Sequence, residues 1–252
     1  MDALPLRTIL DPSNENEFAK GSVRIPLNEL TARVSELPPK GSAIQVAAKG
    51  KLLDDAIQLL TQMGRHPVPA DPWELQDSPS PGRLWHVAGI CEWVQENLRP
   101  GTAVDLGCGT GRNAVYLSAN GWNVTGYDHL PDALQMAATL AYHHNVDCSL
   151  QVANIDDPLW APTEMADLVL CTYYWHENLF ERAATWIRPG GILAVETFDS
   201  NHREHAGHPR NPARVLMPKY PKDRWNELHR EGIKDPSRSY MRLILERSSS
   251  TL

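Results

Sequence analysis

The sequence has no long hydrophobic run and few cysteines. None of its apolar runs approaches the roughly 18 consecutive residues of a membrane-spanning helix, and the first ten residues lack the basic and apolar regions of a secretion signal. The four cysteines have no short paired spacing, so neither a disulfide framework nor a zinc site is predicted. We therefore expect a cytoplasmic protein with a reducing environment, no membrane contact and no bound metal.

Positive charge is scarce in the middle of the chain. The 252 residues carry a net charge of −7, and residues 76–200 hold 5 basic against 15 acidic side chains. Residues 201–252 reverse this balance, with 11 basic and 6 acidic side chains. Because nucleic-acid binding needs clustered Lys and Arg to neutralise phosphates, the acidic middle makes a nucleic-acid partner unlikely. The basic C-terminal segment keeps that alternative open.

Five prolines between positions 67 and 81 predict a linker at residues 71–82, because proline continues neither a helix nor a central strand. The linker would separate a small domain at residues 1–70 from a larger one at residues 83–252. In the first domain, apolar spacing predicts strands at 8–10 and 43–47 and amphipathic helices at 27–37 and 52–63.

The larger domain alternates predicted strands and helices, which indicates an α/β fold with a mostly parallel sheet and helices on both faces. Strands are predicted at 103–106, 122–127, 148–153, 166–171 and 192–197, and helices at 85–97, 113–119, 131–143 and 179–187. Residues 240–245 are predicted to add an antiparallel edge strand.

A strand turns through three alternate glycines into a helix at residues 104–113. Gly107, Gly109 and Gly111 would let a ligand approach main-chain N–H groups at a helix N-terminus. Asp105 would repel a pyrophosphate but suits an ammonium group, and Asp128 ends the next strand, where it can bind both ribose hydroxyls. A nucleoside joined to an amino acid fits both features. A dinucleotide fold, or Asp128 as a helix cap, is the alternative.

These residues resemble motif one and the following acidic position of the class I S-adenosylmethionine-dependent methyltransferases. Together with residues 83–85, 126–128 and 188–191, they are similar to the tellurite-resistance and thiopurine methyltransferase-like branch. The resemblance implies a Rossmann-like sheet that binds S-adenosyl-L-methionine through Asp105, Gly107, Cys108, Gly109, Gly111, Arg112, Asn113, Asp128, His129, Asn154, Ile155 and Thr172. Asn154 and Ile155 would flank the adenine, although the branch more often has Asp at position 154. The resemblance also implies a helix near residues 223–229, before the closing strand.

The acceptor side is predicted at residues 173–176, directly after the fourth strand of the larger domain. Tyr173, Tyr174 and His176 are the candidate catalytic residues, with His176 either taking a proton or packing as a structural histidine. A polar stretch at 198–210 is predicted to form a flap over this pocket. The resemblance favours a small-molecule acceptor such as a thiol or a chalcogen oxyanion. RNA or protein methylation, or a non-catalytic S-adenosylmethionine-binding scaffold, are the alternatives.

The first domain resembles the first half of a rhodanese-like domain, on residues 9–11, 17–21, 23–27 and 30–37. In that family the next strand leads into a nucleophilic cysteine that carries a persulfide, and here that position is Ala47. The resemblance therefore implies an inactive rhodanese-like domain, used for packing, docking or formation of a homodimer.

Overall fold

The computed structural model describes residues 2–71, 73–176, 178–204, 219–235 and 238–249. The chain forms two compact units, Met1–His86 and Val87–Leu252. Residues 205–210 of the predicted flap lie outside the described residues. Within the described residues, we find no helix with the length and apolar character needed to cross a membrane.

The first unit contains a four-stranded parallel sheet in the order β3-β1-β4-β5. Its elements are β1 (Ile9–Asp11), β2 (Phe18–Ala19), β3 (Val23–Arg24), β4 (Ala43–Val46), α1 (Gly50–Gln62), β5 (His66–Pro69) and β6 (Leu75–Gln76). Buried Leu10, Ile44 and Leu60 belong to one core cluster that joins β1, β4 and α1. The predicted strands at 8–10 and 43–47 and the helix at 52–63 are confirmed to within two residues.

Two predictions for this unit were wrong. Residues 27–37 form two short 3₁₀ turns, Leu27–Glu29 and Val34–Glu36, rather than one helix. Glu36, which an amphipathic helix would expose, is buried and its carboxylate binds Arg33, so burial of this segment overrides the local helical pattern. Residues 71–82 are part of the first unit instead of a linker, because β6 pairs with β2. Proline stops regular structure but does not keep a chain from packing.

The second unit contains a seven-stranded sheet in the order β12-β13-β11-β10-β7-β8-β9. Its strands are β7 (Thr102–Leu106), β8 (Asn123–Asp128), β9 (Ser149–Val152), β10 (Ala166–Thr172), β11 (Ile187–Phe198), β12 (Trp225–Asp235) and β13 (Arg238–Arg247). Its helices are α2 (Gly89–Asn97), α3 (Arg112–Ala119), α4 (Pro131–His143) and α5 (Leu179–Trp186). Among the described strands of this sheet, β13 alone runs in the opposite direction, because it pairs antiparallel with both β11 and β12, so the predicted mostly parallel sheet is confirmed.

The prediction of an antiparallel edge strand needs correction. The antiparallel strand β13 lies second from the edge, and the edge position belongs to β12, part of which was predicted as a helix at 223–229. Most of β12 is polar, and its residues have no strong intrinsic preference for strand. Pairing with β13 along almost its whole length decides its conformation.

The order of the strands creates a crevice in the second unit. From β7 the chain moves outward through β8 and β9, and then it returns to the other side of β7 for β10 and β11. In parallel sheets, ligands bind at the carboxyl ends of the strands where this direction reverses. The loops that follow β7, β8, β9 and β10 therefore surround the candidate site.

Candidate cofactor-binding site

The loop between β7 and α3 has the shape that its glycines predict. Gly107, Gly109 and Gly111 all have positive φ angles, of 67°, 55° and 77°. Residues with a Cβ atom adopt such angles only with strain. Gly111 is also needed for packing, because a Cβ atom there would lie 2.6 Å from the Cβ atom of Ala137 on α4. The result is a turn without side chains at the three glycines, directly before the N-terminus of α3.

Asp128, at the end of β8, holds this loop in place. Its Oδ2 atom accepts a hydrogen bond from the Gly109 N–H at 2.8 Å, and its Oδ1 atom accepts one from the Leu130 N–H at 2.9 Å. The Nδ1 atom of His129 lies 3.5 Å from Oδ1. Each carboxylate oxygen has two lone pairs, so Asp128 keeps acceptor capacity for ribose hydroxyls. The bond to Leu130 shows that it is also a local cap.

Asp105 lies beneath the loop rather than on its surface. Its side chain is 1% exposed, and among the described residues neither carboxylate oxygen has a hydrogen bond of normal geometry. Burial, and then the negative charge of Asp128, raise the pKa of Asp105 to about 8, while the Ala114 N–H acts in the opposite direction. The sequence suggested direct contact between Asp105 and an ammonium group. The structure does not present Asp105 for such a contact, because its carboxylate is buried beneath the loop.

Three other predicted residues near the loop make structural contacts. The side chain of Asn113 accepts a hydrogen bond from the Ala88 N–H at 3.0 Å and donates one to the Thr172 hydroxyl at 2.9 Å. It therefore joins the start of α2 to the end of β10. Cys108 packs close to Gly126, and burial raises the pKa of its thiol, which makes it a poor nucleophile. Arg112 is half-buried at the start of α3.

The loop after β9 carries the predicted adenine contacts. The Asn154 side-chain oxygen accepts a hydrogen bond from the Asp156 N–H at 3.3 Å, so it caps a turn. Ile155 is buried in the same core cluster as Tyr127. The Ala153 N–H donates to the Asp128 carbonyl oxygen at 2.9 Å, which brings the start of this loop beside the end of β8.

Tyr173 has a positive φ angle of 53° and contacts a buried carboxylate. Its hydroxyl donates to Glu196 Oε1 at 3.0 Å, and its N–H donates to the Glu196 carbonyl oxygen at 2.7 Å. Glu196 is 1% exposed and also accepts hydrogen bonds from the Ile90 N–H and from Arg242 Nε. The sequence analysis missed Glu196. An acidic residue in an otherwise apolar strand was the available signal.

The other two candidate catalytic residues occupy different places. Tyr174 lies over Gly107, with its Cβ atom 3.4 Å from the position of a Cβ atom there, and its hydroxyl donates to Asp156. It thus connects the end of β10 to the loop after β9. His176 Nδ1 accepts a hydrogen bond from the Asn178 N–H at 3.3 Å, which engages one ring nitrogen structurally.

Three histidines follow β11, and only part of that stretch is described. Among the described residues, no group of three His, Cys, Asp or Glu side chains is arranged to hold a metal ion. His202 Nδ1 accepts a hydrogen bond from the Ser239 N–H at 3.2 Å, while His205 and His208 lie outside the described residues.

Comparison with known proteins gives a consistent result for the second unit. Residues 103–191 match the family model for a methyltransferase domain. Trans-aconitate 2-methyltransferase from Streptomyces coelicolor is 35% identical over 116 residues, which cover 41% of this chain and 38% of that protein. Ribosomal RNA small subunit methyltransferase C from Alcanivorax borkumensis is 30% identical over 106 residues, covering 38% and 31%.

The fold of the second unit is also known from solved structures. TehB from Haemophilus influenzae superposes with a TM-score of 0.52 at 18% identity, over 65% of this chain and 63% of that one. The chain spans less than half the length of the two curated relatives. Residues 103–191 are therefore similar to a methyltransferase domain, and the second unit shares its Rossmann-like fold with the solved TehB structure.

Proposed function

We propose that the second unit is a methyltransferase that uses S-adenosyl-L-methionine to methylate a small molecule. One observation carries the proposal: the carboxylate of Asp128 is bound to a turn with glycines at its ligand-facing positions, at the reversal point of a parallel sheet. Such a turn exposes main-chain N–H groups to a ligand, and the carboxylate suits a ribose beside it. The methyltransferase family match supports this assignment.

The residues present fit the methyl donor. Main chain at Gly107 and Gly109 would contact the methionine part, Asp128 would accept hydrogen bonds from the ribose, and Asn154 with Ile155 would flank the adenine. Thr172, fixed by Asn113, would lie beneath the methionine part. The donor supplies a methyl group that its sulfonium already activates, so these residues contribute mainly alignment and exclusion of water.

The acceptor would lie beside Tyr173, Tyr174 and His176, near the carboxyl end of β10. A thiolate or a chalcogen oxyanion needs no general base, whereas a protonated acceptor would use His176 Nε2 to take the proton. The two curated relatives are named for different acceptors, trans-aconitate and ribosomal RNA, so similarity to them does not fix the acceptor. The thiol or chalcogen acceptor is therefore part of the proposal.

Donor turnover tests the proposal. The full chain is incubated with S-adenosylmethionine and a panel of thiols, chalcogen oxyanions, carboxylic acids and RNA, and S-adenosylhomocysteine is measured. Turnover with a small molecule is expected. Turnover with RNA alone would favour the nucleic-acid alternative, and binding of the donor without turnover on any acceptor would indicate a scaffold.

Asp128→Ala should weaken binding of S-adenosylhomocysteine by about 10- to 150-fold, the equivalent of roughly 1.5–3 kcal/mol for hydrogen bonds to a charged group. Calorimetric titration measures this. Because Asp128 also holds Gly109, the 2′-deoxy analogue serves as a control. Wild type should bind the analogue more weakly than S-adenosylhomocysteine, and the variant should bind both alike. An unchanged preference in the variant would contradict the ribose assignment.

We further propose that the first unit is an inactive rhodanese-like domain. Its four-stranded parallel sheet and the position of Ala47 between β4 and α1 support this, and residues 1–86 contain no cysteine. The full chain should show no sulfur transfer from thiosulfate to cyanide, and detectable transfer would contradict the proposal.

We also propose that this unit forms a homodimer, which sedimentation would test. We propose a cytoplasmic location as well, because the four free cysteines favour a reducing compartment.

A further inference from the structure

Arg182, on α5, binds three carbonyl groups of the loop that follows β9. Its Nη1 atom donates to the Ile155 oxygen at 2.8 Å, and its Nη2 atom donates to the Asp157 and Trp160 oxygens, both at 2.9 Å. We infer that Arg182 is a positioning residue that fixes the adenine end of the donor site. This inference rests on the proposed function.

The guanidinium group is suited to this task. It is planar and always charged, and its N–H groups point in fixed directions, so one side chain can bind several carbonyls at once. It also lies over the ring of Trp186, 4.8 Å from the ring centre, which limits its rotation. A lysine ammonium is a single point charge and cannot reproduce the same fan of hydrogen bonds.

The loop held by Arg182 touches the rest of the donor site on two sides. At its start, Asn154 and Ile155 follow the backbone hydrogen bond between Ala153 and Asp128. In its middle, Asp156 accepts the hydrogen bond of Tyr174, whose side chain lies over Gly107. Displacement of this loop would therefore change both the adenine contacts and the cover over the glycine turn.

Arg182 acts through the backbone of this loop. Its guanidinium group binds main-chain oxygens and the ring of Trp186, whereas the residues proposed to meet the adenine are Asn154 and Ile155. A positioning role therefore predicts a loss of discrimination between bases, beyond any general loss of affinity. Sequence analysis gave no reason to select this arginine, since its partners are carbonyls that lie 22 to 27 positions away.

The test uses the full chain and two ligands that differ only in the base, S-adenosylhomocysteine and S-inosylhomocysteine. Wild type should bind the adenine compound more tightly. In Arg182→Lys we expect its affinity to fall about tenfold, the equivalent of one hydrogen bond to a charged group. The inosine compound should lose less affinity, so the ratio between the two should shrink. Calorimetric titration measures both constants.

Glu181→Gln is the matched control, because Glu181 is the neighbouring residue on α5 and pairs with Arg224 at 2.9 Å in an exposed ion pair. Both affinities should stay at the wild-type values. Arg182→Gln, which keeps two N–H donors without the charge, is made in parallel in case the lysine variant does not fold, and the same reduction in ratio is expected.

Two outcomes would overturn the inference. Normal binding by wild type with an unchanged ratio in both Arg182 variants would reject the positioning role and leave the proposed function intact. Absence of binding of either compound by wild type would reject the proposed function, and the role of Arg182 with it.

Discussion

Asp105→Asn is expected to stabilise the second unit at pH 8 and to leave its stability unchanged near pH 4. Burial and the charge of Asp128 raise the pKa of Asp105 to about 8 in the folded protein, against about 4 in an unfolded chain. Between these values the unfolded carboxyl has lost its proton while the folded one keeps it, so rising pH favours unfolding of the wild type. Asparagine does not ionise and removes this effect.

Urea denaturation of both proteins from pH 4 to pH 8.5 measures the difference. The gain in free energy of unfolding should grow with pH, up to roughly 5 kcal/mol, because each pKa unit corresponds to about 1.4 kcal/mol.

Asp167→Asn gives a control of opposite sign. Hydrogen bonds from Thr102 and the charge of Arg188 outweigh burial and lower the pKa of Asp167, so this half-exposed carboxylate contributes stability that is lost as pH falls. A gain at Asp105 that does not change with pH would refute the assignment.

Gly111→Ala is expected to cost about 2–5 kcal/mol in stability and to abolish donor binding. A methyl group there would lie 2.6 Å from the Cβ atom and 3.1 Å from the Cα atom of Ala137, so α3 and α4 would have to separate. Overpacking of this kind costs about 1–3 kcal/mol, and the positive φ angle of 77° adds about 1–2 kcal/mol. Urea denaturation measures the first effect and calorimetric titration the second.

Gly109→Ala separates the two causes. Gly109 has a similar φ angle of 55°, but apart from its two chain neighbours no described residue has an atom within 4 Å of the position of its Cβ atom. This variant should lose only the backbone cost of about 1–2 kcal/mol and stay folded. Equal losses at Gly109 and Gly111 would show that packing against Ala137 contributes nothing.

The glycine turn and Asp128 could be found from the sequence because their signals are local. A turn with three positive φ angles requires glycine at those positions, and an acidic residue at the end of the next strand reaches the same edge of a parallel sheet. The role of Asp105 was harder to predict. The sequence shows that Asp105 lies near the end of a strand, but its burial depends on how the elements of the second unit pack around β7.

Aromatic residues after β10 illustrate the same limit. The sequence placed Tyr173 and Tyr174 beside the site, yet their hydroxyl partners, Glu196 and Asp156, are set by neighbouring strands and loops. The sequence analysis assigned both tyrosines to the acceptor side as candidate catalytic residues, although their hydroxyls bind carboxylates on different elements. Roles of this kind follow from which strands become neighbours.

The preferences of adjacent residues are enough to predict the alternation of strands and helices, the glycine turn and the acidic residue that binds it. They do not predict that β12 is a strand, that residues 71–82 belong to the first unit, or that Arg182 holds a distant loop, all of which follow from packing in the folded protein. Each of these depends on contacts between different segments of the chain, whose free energy outweighs weak local preferences once the sheet has formed.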